Sequence, residues 1–341
     1  MQRIMLGMSG GVDSSVAAAV LLEKGYDVLG TTLLLCEGED NNTYDAKKVC
    51  DKLAISHTSF DLREDFKAKV IRDFTDKYIN GLTPNPCLEC NKNIKFGKML
   101  QIAKQNACDK IATGHYARIE ERNGRFLLKK AKDEAKDQSY VLYMLTQEQL
   151  SCVLFPLGEF TKAEIRAKAE ELGLINANRP DSQDICFVPD GDYASFIEQN
   201  FDFKSQKGNY VDINGNVLGE HNGVIRYTLG QRKGLGIALG KPQFVIDKNA
   251  ETNQVVLGDE EHLFKTRVEV KDVNFIPFDT LEKPMRVEAK LRYRHKASPA
   301  VISQEGDKVI IEFDEPQRAA SPGQAAVFYD GDIVIGGGTI I

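Results

Sequence analysis

Along residues 1–203 short apolar runs alternate with amphipathic stretches. Ile4–Met8, the leucine-rich Val28–Leu35, His57–Leu62 and Lys110–Thr113 read as strands. Ser14–Lys24 (ended by Gly25), Ala46–Ala54, Arg63–Asn80 and Ile94–Gln105 read as helices, with Phe66, Val70, Phe74 and Tyr78 recurring at helical spacing. Thr161 with Glu164 three residues on is a capping box, which opens a helix over Thr161–Gly173. This βαβα order predicts an α/β fold with a doubly wound, mostly parallel sheet. From residue 204 the texture changes. Glycines become frequent, and Asn214-Gly215 and Asp330-Gly331 mark turns. Val255–Leu257, Arg267–Val270, Met285–Tyr293, Lys308–Phe313 and Ala325–Tyr329 read as strands, and no helix is predicted beyond residue 265. The expected organisation is a catalytic α/β domain over 1–203, a small β-rich central domain over 204–265 and a C-terminal β-barrel over 266–341.

Composition narrows the class. Of 341 residues, 42% are apolar and 28% charged, which excludes a disordered or fibrous chain. No run approaches the roughly 18 apolar residues of a membrane span, and Met1–Gly11 lacks the apolar core of a signal peptide. The expectation is a cytoplasmic chain with no membrane partner. Seven cysteines is an odd number for a disulfide framework, and only Cys87 and Cys90 are closely spaced. In a reducing compartment such a pair means metal or sulfur chemistry. It is half of a four-cysteine zinc site, but no second CxxC follows. The net charge of −6 argues against bulk nucleic-acid binding. Yet residues 91–136 hold twelve Lys/Arg against five Asp/Glu, and residues 221–246 and 290–296 hold four cations each and no acid. These segments make either one phosphate-binding face or three unrelated solvated surfaces.

The densest chemistry follows the first strand, in Gly7-Met8-Ser9-Gly10-Gly11-Val12-Asp13-Ser14-Ser15. Gly10 and Gly11 let backbone N–H groups approach a phosphate, the serines add hydroxyl donors, and a helix N-terminus favours the negative charge. Asp13 repels phosphate unless Mg²⁺ lies between them, which makes it the Mg²⁺ candidate. The loop is neither a Walker loop nor a dinucleotide fingerprint. Further along, Pro84 and Pro86 stiffen the approach to Cys87 and Cys90. Asn91 is placed to cap a helix starting near Ile94, with Cys90 just ahead of it beside Lys92 and Lys95, a setting that lowers a thiol pKa. Asp181-Ser182-Gln183-Asp184-Ile185-Cys186-Phe187 makes a turn-like approach to another cysteine.

The loop resembles the SGGxDSS signature of the PP-loop, or N-type ATP pyrophosphatase, superfamily. That resemblance implies cleavage of ATP between its α- and β-phosphates. The whole chain is similar to the bacterial tRNA-specific 2-thiouridylases of that superfamily. The similarity is carried by Met8–Ser15, Asn85-Pro86, Cys90-Asn91, Ile94–Phe96, Ala112–Tyr116, Lys136–Tyr140, Asp181–Phe187, Tyr227–Gly236 and Ser321–Tyr329. It implies adenylation of the C2 oxygen of the wobble uridine, then replacement of that oxygen by sulfur. ATP would contact Gly7, Met8, Ser9, Gly10, Gly11, Val12, Asp13 and Ser14, with Leu33 and Gly114 around the nucleotide. Asn85, Pro86 and Cys87 would lie against the target base. His115, Lys136, Asp137, Gln138, Arg292, Tyr293 and Gln324 would contact tRNA.

The same resemblance gives Cys186 a persulfide, delivered by a sulfur-carrier protein or a cysteine desulfurase. Cys90 would free the sulfur and leave a Cys90–Cys186 disulfide. Where family members commonly have methionine and aspartate, this chain has Leu33 and Cys87. The extra thiol allows a variant route, an iron–sulfur cluster on Cys87, Cys90 and Cys186. Plainer readings stand beside these: His115 as a satisfied core histidine, Arg292 and Tyr293 as strand-surface residues, and Gly230–Gly240 as structural turns rather than a mobile loop near the site. Two other function classes are an amidating PP-loop ligase acting on a non-RNA acceptor, and a non-catalytic RNA-binding or iron–sulfur sensor protein.

Overall fold

A computed structural model describes residues 1–37, 40–174 and 185–341. Asp181–Asp184, half of the approach to Cys186, lie outside the described residues. The strands of the first half are β1 (Arg3–Gly7), β2 (Asp27–Leu34), β3 (Ser56–Asp61), β4 (Lys110–Ala112), β5 (Arg118–Arg122), β6 (Arg125–Lys129) and β7 (Val153–Leu154). Five of them form a parallel sheet in the order β3-β2-β1-β4-β7. β1 lies at its centre, and Ile4, Met5 and Leu6 are fully buried because both faces are covered. Successive side chains point to opposite faces. Met5 joins a cluster with Phe96, Met99 and Tyr140, while Ile4 and Leu6 join Val16, Val20 and Ile165 from helices Val12–Glu23 and Lys162–Glu171. This is the doubly wound layer that the apolar rhythm predicts.

The helix expected over Arg63–Asn80 is present with its four apolar anchors buried, but it is wound unevenly. Arg63–Phe66 and Arg72–Ile79 are α-helical and Lys67–Ile71 between them is π-helical. The helix expected from Ile94 starts earlier. Asn85 caps it by accepting the Cys87 N–H at 3.1 Å, and Pro86 takes the first helical position, where its missing N–H costs nothing. The chain continues as Pro86–Glu89 (α), Cys90–Lys98 (π) and Met99–Gln105 (α). Asn91 is therefore inside the helix and not its cap; it is buried and its amide donates to Val141 O at 2.8 Å.

The second half holds β8 (Gly208–Val211), β9 (Val217–His221), β10 (Phe244–Asn249), β11 (Gln254–Gly258), β12 (Phe264–Phe275), β13 (Met285–Lys290), β14 (Ser298–Glu305), β15 (Lys308–Arg318), β16 (Ala325–Asp330) and β17 (Ile333–Ile340). β10-β11-β8-β9 form a small sheet. Its Tyr210, Val245, Val255 and Leu257 share a core with Phe66, Phe74, Cys90 and Phe187. β12-β15-β14-β13-β16-β17 form a barrel closed by the β12–β17 pairing. Closure leaves no free edge among these six, but β17 also takes the hairpin β5–β6 from the first half. Sequence reading missed that hairpin, β7 to β10, β14, the closing strand β17, and helices Gln147–Ser151 and Tyr193–Asn200. Among the described residues no helix is long and apolar enough to cross a membrane.

The small sheet carries a pH-dependent element. His221 is buried between Tyr210 and Tyr227, and its Nδ1 accepts the Gly223 N–H at 3.0 Å, so the ring is neutral. Burial holds its pKa below 6.5. The unfolded chain therefore takes up a proton first as pH falls. The stabilisation is complete above about pH 6.5 and is lost between that value and the lower folded-state pKa. Thermal melts should show Tm falling from pH 7.5 to pH 5, with a smaller fall in His221→Gln; equal slopes would contradict this.

Candidate functional site

The phosphate loop connects β1 to the helix Val12–Glu23. Gly10 sits at φ 72°, a conformation that glycine adopts freely. Ser14 Oγ accepts from Ser9 N–H at 3.3 Å and donates to Gly11 O at 3.1 Å, and Ser15 Oγ donates to Gly11 O at 2.9 Å. Met8 and Val12 point into the core, so what they offer a ligand is backbone. Gly114 presses on the loop: a Cβ there would lie 3.0 Å from Ser14 N and 3.2 Å from Asp13 C. Leu33, near the end of β2, packs against both the Phe96 cluster and the Cys90 cluster.

Asp13 is already engaged. Lys162 Nζ lies 2.8 and 2.9 Å from its two carboxylate oxygens, and Tyr116 donates its hydroxyl at 2.7 Å. The Lys162 side chain is only 10% exposed. Mg²⁺ usually keeps several waters and needs one or two carboxylates beside substrate phosphates. One carboxylate at the mouth of a phosphate loop fits that donor set once Lys162 exchanges onto a phosphate. Lys162 and Tyr116 are the residues that sequence reading missed here. The signal was present: the capping box Thr161–Glu164 is formed as predicted, and it fixes Lys162 at the first helical position.

Cys87, Cys90 and Cys186 occupy different environments. Cys90 is 8% exposed within an apolar cluster, while Cys87 and Cys186 are exposed. Desolvation pushes the Cys87 thiol up, Lys95 pulls it down, and the nearby Cys186 pushes it up again. Phe187 anchors the turn after Cys186 by packing edge-on against Phe66 and Phe74 at 5.7 and 5.2 Å. The turn before Cys87 is held by the barrel: Thr83 N–H donates to Pro322 O at 2.9 Å, and Gln324 donates to Thr83 O at 2.8 Å and Pro84 O at 3.3 Å.

Comparison with known proteins places this geometry. The family described as "tRNA methyl transferase HUP domain" matches residues 2–190, its "PRC-barrel domain" 194–259, and "Aminomethyltransferase beta-barrel domain" 265–340. The chain is 51% identical to the tRNA-specific 2-thiouridylase MnmA of Clostridioides difficile over 99% of this chain and 98% of that one. It is 52% identical to the protein of the same name from Acetivibrio thermocellus over 99% of each. The chain belongs to the tRNA-specific 2-thiouridylase family. Among solved structures, a 4-thiouridine synthetase–RNA complex with bound ATP is similar over 58% of this chain and 50% of that one, at 19% identity and a TM-score of 0.39.

Family membership makes the remaining placements informative. His115 is buried beside Phe96 and Phe155, its Nδ1 is 2.7 Å from Thr113 Oγ1, and burial holds its pKa well below 6.5. The Asp137 carboxylate accepts from the Ala131 and Ser139 N–H groups and the Ser139 hydroxyl. Gln138 Oε1 accepts the Tyr116 N–H at 2.9 Å. Lys136 lies on the same turn, half-buried. Tyr293 is 39% exposed, its hydroxyl 3.4 Å from Asp137 O, and it lies within electrostatic reach of Cys87. Tyr293 thus lies beside both Asp137 and Cys87, and Gln324 holds the backbone just before Asn85. Arg292 faces inward and donates to Leu229 O, Ala319 O and Ser321 Oγ at 3.3, 2.9 and 2.7 Å.

One expectation needs correction. Among the described residues, which include Cys87, Cys90 and Cys186, no group of three or more His, Cys, Asp or Glu is placed to hold a metal ion. This overturns the iron–sulfur cluster: Cys90 lies in the apolar cluster while the other two thiols are at the surface. Of the two readings open for the basic segments, ion pairing bears on the first segment. Within residues 91–136, Lys98, Lys104, Arg118, Arg122, Arg125, Lys129, Lys130 and Lys132 each lie within 4.0 Å of a carboxylate, mostly from distant segments. Arg292→Ala strips three acceptors of a charged donor and should lower the unfolding free energy by about 2 kcal/mol. A loss within the roughly 0.5 kcal/mol of an ordinary surface change would contradict that placement.

Proposed function

We propose that this chain installs sulfur at C2 of the wobble uridine of tRNA, using ATP to activate the oxygen it replaces. The observation that carries the reading is the shared packing of the two half-sites: Leu33, beside the phosphate loop, and Cys90 belong to one apolar cluster. The C2 oxygen attacks the α-phosphorus, pyrophosphate leaves, and sulfur then displaces AMP from C2. The loop N–H groups, the serine hydroxyls and Lys162, once released from Asp13, hold the phosphates. Asp13 would help hold Mg²⁺, whose chemistry when bound is to neutralise charge that develops on pyrophosphate.

Asn85, Pro86 and Cys87 meet the base, with Lys136–Gln138, Tyr293 and Gln324 toward the tRNA; His115 and Arg292 support this surface from within. Cys186 receives a persulfide from a sulfur-carrier protein or cysteine desulfurase. Cys90 attacks its inner sulfur, which releases hydrosulfide and forms the Cys90–Cys186 disulfide. We place this work in the cytoplasm, where charged tRNA pools and thiol reductants coexist.

Pyrophosphate release should depend on tRNA. Lys162→Ala should lower it by roughly 10²-fold, the scale of losing one preorganised charge contact. Cys186→Ser should keep tRNA-dependent pyrophosphate release and lose 2-thiouridine formation, because a hydroxyl cannot carry a persulfide. Release without tRNA, or thiolation by Cys186→Ser, would overturn the assignment.

A further inference from the structure

The sulfur route just described ends with Cys186 locked to Cys90, and Cys186 must be freed before it accepts another persulfide. Three observations bear on how that happens, and the inference rests on that route. First, Cys87 and Cys90 lie on one turn of one continuous helix. Helix geometry sets their Cα atoms about 5 Å apart. That falls within the roughly 4.4–6.8 Å span of a disulfide. Their Cβ atoms are about 5–6 Å apart in a regular helix. Closure then takes a local shift of roughly 1–2 Å toward the usual disulfide spacing. The Cys87 N–H is held by the Asn85 side chain and the Cys90 N–H by Pro86 O and Cys87 O, so the shift is taken up within this first turn and its cap.

Second, the two thiols differ in access: Cys87 is exposed and Cys90 is buried. A reductant arriving from solvent meets Cys87 first. Third, Cys186 is exposed and close enough for its charge to act on the Cys87 thiol, in opposition to Lys95. While Cys186 is an anionic thiolate or persulfide, it disfavours ionisation of Cys87. Once it is bound in a disulfide its charge is gone, and Lys95 acts on Cys87 without that opposition.

We propose that Cys87 is the resolving thiol of the cycle. It attacks Cys90 of the Cys90–Cys186 disulfide, forms a Cys87–Cys90 disulfide across one helical turn, and releases Cys186. The Cys90–Cys186 bond breaks as the Cys87–Cys90 bond forms. Cys87 gives up its proton, Cys186 leaves as the thiolate and takes one up, and no net oxidation occurs. A dithiol reductant from solution then supplies two electrons to reopen Cys87–Cys90. The exchange proceeds pair by pair and needs no point at which all three sulfurs bind one metal.

The test uses the full chain, glutathione persulfide as the sulfur source, an unmodified transcript of a tRNA with U34, and ATP with Mg²⁺. After one turnover the protein is alkylated and mapped without reduction, and 2-thiouridine is measured in the same sample. The expected result is a Cys87–Cys90 disulfide with Cys186 alkylated. In Cys87→Ser the disulfide should instead link Cys90 to Cys186 in proportion to the 2-thiouridine formed, and at limiting dithiothreitol later turnovers should slow by about tenfold relative to that variant's own first turnover. Thiolated tRNA accompanied by Cys90–Cys186, or by three alkylated thiols, in the unsubstituted protein would overturn the resolving role while leaving the function intact. No 2-thiouridine at all would overturn both.

Discussion

The reactive turn of this protein has no sheet of its own, and that constraint organises the rest. Pro84 and Pro86 bring no N–H donors, so residues 83–86 cannot form a ladder, yet their remaining backbone groups need partners. The C-terminal barrel supplies them through Pro322 O and the Gln324 amide. Gly323 lets the two segments approach closely: a Cβ there would lie 3.0 Å from both Leu82 Cβ and Thr83 N. From this clamp Asn85 caps the helix that carries both Cys87 and Cys90. The barrel thus positions the turn that leads to Cys87 and Cys90. Tyr140 adds a second tie, donating its buried hydroxyl to Ala325 O at 2.8 Å.

Charge at the nucleotide end follows a similar economy. A carboxylate facing a phosphate site would repel its ligand, and here Lys162 and Tyr116 engage it. On the proposed reading the same pair serves the loaded loop, with Lys162 turning to phosphate and Asp13 to a cation. The thiol end is tuned by neighbours as well, with Lys95 acting on both Cys87 and His115.

Much of this was legible in the chain. The phosphate loop, the βα alternation and the shift to β texture after residue 204 follow from local patterns that tertiary contacts reinforce. The helix start was legible too, since Asn85-Pro86 is a cap followed by a proline at the first helical position; attention to Asn91 obscured it. The β5–β6 hairpin turns at Asn123-Gly124, both at positive φ, a turn signal the sequence carries. That the hairpin extends a barrel two hundred residues later is a long-range fact that no local pattern encodes. The π-helical winding at Cys90–Lys98 is likewise invisible to a periodicity argument that assumes 3.6 residues per turn. Local charge counts left two readings open for the same reason. Arg118 and Lys129 meet Asp332, and Arg125 meets Asp279, acids that sit far away in sequence.

The central claim is that the uridine oxygen itself is adenylated. It is tested most directly with a tRNA transcript whose U34 carries ¹⁸O at C2, incubated with the enzyme, ATP, Mg²⁺ and a persulfide source. Mass spectrometry of the released AMP should find the label on its phosphate, in step with 2-thiouridine formed. Unlabelled AMP accompanied by 2-thiouridine, with the label in water or in pyrophosphate, would contradict the account.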